Sequence, residues 1–171
     1  MARIPISSGI VITPQQMVAQ WRHLPHKFQV NLWNFEVKAG KAAVNIFRES
    51  FDIKRFNDTG SSPWQPRSVK SKKTHPLMTE TYSLKQSIKW KHMGVRGLSS
   101  GVTIYTDPNG FQHTARHRGF CYAAVHNSPS SLGMRRGSVK NMPRRQFMGH
   151  SGVLKEELKK LSVVIFQGFP K

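Results

Sequence analysis

"HKFQVNLWNFEVKAGKAAVNIFRESFDI", residues 26–53, is the longest patterned stretch of the chain, and its reading decides the fold. Phe28, Leu32, Phe35, Ala39, Ala42, Ile46 and Ile53 recur at the spacing of one face of an α-helix. A second stripe of Val30, Trp33, Val37, Val44, Phe47 and Phe51 runs beside the first. The pattern predicts a helix of roughly seven turns, apolar around much of its circumference. Such a helix either lies deep in its own domain or buries one face against another chain. A small domain struggles to wrap so long a rod. The expectation is therefore a homo-oligomer in which Trp33, Val37, Val44 and Phe51 meet a neighbouring subunit.

Upstream, "TPQQMVAQW" carries a helix start. Thr13 caps, Pro14 suits the first helical position, and Gln16 reaches back to complete a capping box. Pro25 should end or kink that helix, because it lacks an N–H and crowds the preceding turn. The chain is thus divided into an arm with a short helix, 1–25, and a single α+β domain, 26–171.

Downstream, residues 57–76 combine turn formers, prolines and lysines and read as a long exposed loop. Trp64, flanked by Pro63 and Pro66, is the expected anchor of that loop. "TETYSLKQS" suggests a short helix. "SIKWKHM" alternates Ile88, Trp90 and His92 with Lys89 and Lys91, as in a half-buried strand. "GVTIYT" reads as a second strand running into the turn former "DPNG", with "FQHTARHRGF" as a possible third. "CYAAVHNSP" fits one or two helical turns or an extended segment, and the region from Ser128 to Lys140 reads as a basic loop. Ser151 should cap a final helix whose Leu154, Leu158, Leu161 and Ile165 form a stripe, with "LSVVIF" open to a strand reading. The fold class expected is α+β, a small antiparallel sheet covered by a long N-terminal helix and a C-terminal helix, with long loops.

The chain has 171 residues, enough for one ordinary domain with a real core. Its 27 Lys and Arg against 8 Asp and Glu give a net charge of +19, which attracts polyanions and acidic surfaces. Arg67, Lys70, Lys72, Lys73, Arg135, Arg136 and Lys140 are the candidate contacts to DNA or to an acidic partner. One cysteine, Cys121, excludes an intramolecular disulfide. The apolar run near the start is too short for a signal peptide, and no stretch is long enough to cross a bilayer. A soluble protein made in the cytoplasm is expected.

Catalytic chemistry is sparse. Eight carboxylates, mostly isolated in sequence, do not make a two-metal nuclease site. His113, His117, Cys121 and His126 approach the spacing of metal ligands, but Arg116, Arg118 and Gly119 interrupt them and repel a cation. Cys121 and His126 offer nucleophile and base types without an orienting carboxylate nearby in sequence, so a hydrolase stays a minor alternative. There is no phosphate-binding glycine loop, no dinucleotide fingerprint and no nucleic-acid module of recognisable spacing. No cofactor and no metal is expected, and no enzymatic activity.

Three segments together resemble the phage virion morphogenesis family, the tail-completion or neck proteins of Mu-like and related tailed phages. In "PLMTETYSLKQSI" (Pro76 to Ile88), Leu77, Thr81, Leu84, Ser87 and Ile88 match the family signature, while Tyr82 stands where glycine is usual. "YAAVHN" (Tyr122 to Asn127) is similar to the family's Tyr-Ala…His segment, with Asn127, Ser128 and Pro129 in place of the glycine that often follows. In "NMPRRQFMGHSG", Pro143, Arg144, Phe147 and Gly149 match an element that precedes the family's C-terminal helix, and "PWQP" also fits. The resemblance covers roughly residues 26 to 166. It implies a structural virion protein without catalysis, a ring subunit, hexameric by analogy, that joins the tail to the head-connector complex. Its partners would be copies of itself, other neck, connector and tail proteins, and non-specifically the DNA in the channel, with no membrane. Arg144 and Arg145 would then face outward or across the subunit boundary. The alternative from charge alone is a sequence-independent nucleic-acid-binding protein.

Overall fold

In a computed structural model, residues 13–67, 74, 77–78, 82–93, 101–107, 109, 122–127 and 143–169 are described. The long helix α1 runs from Pro14 to Ile53, 40 residues, which is about 60 Å of rod. Its start follows the capping box: Thr13 Oγ1 accepts from the Gln16 N–H, and the Gln16 side chain accepts from the Thr13 N–H. The helix does not end at Pro25, one of the two outcomes expected there, so arm and long helix are one element. The turn around Pro25 is solvent-exposed. Water can therefore satisfy the Trp21 carbonyl that loses its N–H partner there.

α1 ends at Lys54, which takes the left-handed conformation (φ 54°) and donates its N–H to Ser50 O. The chain then turns back along the helix. Asn57 N–H donates to Ser50 Oγ, and its side-chain amide donates to Glu49 Oε2 at 2.8 Å. After the short helix α2 (Ser83–Gln86), β1 (Ile88–His92) and β2 (Val102–Thr106) form a two-stranded antiparallel sheet. Its register runs from Ile88 opposite Thr106 to His92 opposite Val102. Ile88, Trp90 and His92 turn toward α1 while Lys89 and Lys91 face solvent, as alternation predicts. The expected third strand lies outside the described residues.

Helix α3 (Tyr122–Asn127) and the segment 143–149 close over the far end of α1. Helix α4 (Gly152–Ser162) packs along α1 and leads into a 3₁₀ turn, Val163–Phe166, not a strand. Ser151 caps α4, its Oγ accepting from Leu154 N–H and donating to Asn57 O. Asp58 Oδ1 accepts from Gly152 N–H at 2.6 Å, which places a carboxylate at the positive end of α4.

The core gathers at the second half of α1: Ala43, Val44, Phe47 and Phe51 meet Phe56, Trp64, Met78, Leu84, Ile88, Ala123 and Phe147. Phe51 is the hub, 5.6 Å between ring centres from Trp64 and 5.1 Å from Phe147. The architecture is α+β: a long N-terminal helix, a small antiparallel sheet and a C-terminal helix.

Candidate assembly surface

The two apolar stripes of α1 are sorted along its length. From Glu36 onward the core side of the helix is buried; before it, large apolar side chains face solvent. Val18, Trp21, Phe28, Val30 and Trp33 are all exposed, Trp21 and Trp33 by 59% and 57%. Among the described residues, the C-terminal turn covers part of this half. Lys27 Nζ donates to Gly168 O, Asn31 Nδ2 donates to Ile165 O and Gln167 O, and Phe28 meets Phe169 edge-on. These contacts tie the C-terminal turn to α1 yet leave Val163 and Phe166 exposed. Phe28, Phe169 and Phe166 thus form a run of ring contacts from α1 onto the turn that follows α4.

Of the residues expected at a subunit boundary, Trp33 is exposed and Val37 half-buried, and the 3.6-residue repeat puts both on a different side of α1 from Phe28. Val44 and Phe51 are core residues of this chain, at 6% and 2% exposure, and cannot meet a neighbour. Their stripe turns inward because the sheet and the 143–149 segment cover α1 from Ala39 onward.

Trp33 also stacks on His92, with ring centres 5.7 Å apart and planes 12° from parallel. His92 Nδ1 lies 3.1 Å from Glu36 Oε2, and Glu36 is buried. Sequence reading missed this pair, although a signal was present. An inward-facing histidine on β1 needs a polar partner, and Glu36 is the acid that α1 offers nearest the strand.

Of the arginine pair, Arg144 faces outward as one reading expected, and Arg145 does not. Arg145 is buried at 7%; its Nε and Nη2 donate to Gln65 O, and its main-chain N–H donates to His126 O. It braces the loop carrying Trp64, whose Nε1–H donates to Gln146 O at 2.7 Å. Arg144 is exposed but folds back, Nε to Asn127 O and Nη2 to Gln146 Oε1. Asn127 Oδ1 in turn accepts from the N–H groups of Phe147 and Met148. Burial, and secondarily the charge of Arg145, push the His126 pKa down to about 4. Trp64 is buried at 7% and pins its loop to the core.

No family model, curated protein or solved structure matches the chain.

The site therefore rests on geometry. Of the basic candidates, Arg67 is half-buried with a partner of its own, and Lys70, Lys72, Lys73, Arg135, Arg136 and Lys140 lie outside the described residues. His113, His117 and Cys121 also lie outside them. His126, the base type considered for Cys121, is buried at 2%. Among the described residues no group of three or more His, Cys, Asp or Glu could hold a metal ion, and no helix is long and apolar enough to cross a membrane.

Proposed function

We propose that the chain is a structural subunit of a tailed-phage virion, made in the host cytoplasm and assembled into a neck or tail-completion ring that joins the tail to the head-connector complex. The observation that carries this reading is the set of large apolar side chains exposed on the first half of α1 and on the turn after α4. Large apolar side chains left clustered in water mark an interaction surface. Copies of the chain covering it for one another, as in a closed ring, remove it from solvent.

The segments behind the family resemblance support it further. Leu84, Ile88, Ala123 and Phe147 come from three separate stretches and share one core. Tyr82 adopts φ 55°, the left-handed conformation that favours glycine, at the position where the family usually has glycine. Electron microscopy of the purified protein, alone and with neck partners, tests the proposal. Rings are expected, and self-association should strengthen with salt, which screens the +19 charge. A chain that stays monomeric under both conditions and is absent from purified particles would overturn it.

The net charge favours a second reading, sequence-independent binding of nucleic acid. Tight DNA binding that weakens steeply and log-linearly with salt would select it.

A further inference from the structure

Ser87 O accepts from Asp107 N–H, and Gly101 O accepts from Met93 N–H, at 2.8 and 2.9 Å. Together with the register, these bonds fix the direction of every main-chain group in β1. In an antiparallel ladder alternate opposite pairs exchange both bonds. Lys89 with Tyr105 and Lys91 with Thr103 therefore bond within the hairpin. The N–H and C=O groups of Ile88, Trp90 and His92 point the other way, off the outer edge of β1. Arg48 Nη2 occupies the first carbonyl, donating to Ile88 O at 3.0 Å and also to Gln86 O. Among the described residues, nothing bonds the outward groups of Trp90 and His92.

Beside this edge, α1 and β1 enclose an open groove lined by Lys41, Val44, Asn45, Arg48, Lys89 and Trp90. Three of these side chains are cationic, and no carboxylate lines the groove. Lys89 is held to Asp107 at 2.6 Å, whereas Lys41 is exposed.

We propose that the outer edge of β1 receives an extended, acidic segment of another protein as an added strand, with its carboxylates toward Lys41 and the cations of the groove. Strand addition supplies affinity through the main chain, and the flanking side chains select the partner. A second copy of this chain is a poor occupant. Lysines along an edge repel a like-charged strand, and of the chain's 8 acidic residues the one adjacent pair, Glu156 and Glu157, lies inside α4. Among the described residues no strand covers this edge, and the proposal holds whether or not the chain forms a ring.

The test uses the full chain and a short synthetic peptide of alternating valine and glutamate, with hydrogen exchange and fluorescence anisotropy as readouts. Saturable binding is expected, with slowed exchange at the Trp90 and His92 amides. N-methylation of alternate peptide nitrogens, which deletes the pairing donors, should weaken binding roughly tenfold or more. Lys41→Glu should weaken it several-fold in a chain that remains folded, and a valine–lysine peptide should not bind. The proposal fails if the glutamate peptide does not saturate, if the N-methylated peptide binds equally well, or if the Trp90 and His92 amides are unchanged. It also fails if single-stranded DNA of equal charge protects those amides as strongly, which would make the groove a nucleic-acid site.

Discussion

Gly40 lies against the indole of Trp90 so closely that a Cβ added there would stand 2.5 Å from Cδ2 and 2.6 Å from Cε3 of the ring. This contact sets how near β1 approaches α1. In an open helix position alanine would add about 1 kcal/mol over glycine. Here the ring must move, so Gly40→Ala should destabilise the protein by roughly 1–3 kcal/mol. A lower urea midpoint with an unchanged slope would show it; a raised midpoint would mean that the ring yields freely.

Trp64→Phe keeps an aromatic ring near Phe51 but deletes the donor to Gln146 O. Leaving that partly buried carbonyl without its donor should cost about 1–3 kcal/mol. Limited proteolysis should then cut the 57–67 loop faster than in the parent.

His126 predicts a pH dependence. Its pKa in the fold, about 4, lies below the ordinary 6.5. Between those values the unfolded chain binds the extra proton, so stability falls as pH drops below 6.5 and this loss levels off below 4. The full effect is about 3 kcal/mol. NMR titration of the imidazole beside denaturation at several pH values checks both sign and window. An imidazole titrating near 6.5 in the folded protein would refute the prediction.

Trp21→Glu separates assembly from folding. Trp21 is exposed by 59% and belongs to no core cluster, so the change should alter subunit stability by less than about 0.5 kcal/mol. Under the proposed function it should abolish rings. Light scattering gives the mass, and melting of the dissociated chain gives the stability.

Much of this fold is legible in the residues. Thr13 with Gln16, the alternation of Ile88, Trp90 and His92, and Ser151 before α4 are local signals, and local hydrogen bonding or alternation answers each of them. The candidate surface is less legible. Two apolar stripes on one helix do not say whether burial divides it around its axis or along it. Val44 and Phe51 fit a neighbour-facing stripe by spacing yet turn into this chain's own core, because the covering residues arrive from distant sequence. Arg145 looks like its neighbour Arg144 in sequence, and only the position of Gln65 O separates their roles. Pro25 reads as a stop or a kink because propensity does not reveal that its turn is wet.

The start of α4 borrows its ligands from far away. Gly152 N–H and Ser151 Oγ bond to Asp58 and Asn57 across 94 residues of chain. An 11-residue helix is marginal by itself, so α4 gains its full stability only after that long loop closes. Loop closure, more than helix propagation, should therefore time the last stage of folding, and chains whose 57–58 turn is disrupted would carry an unanchored tail.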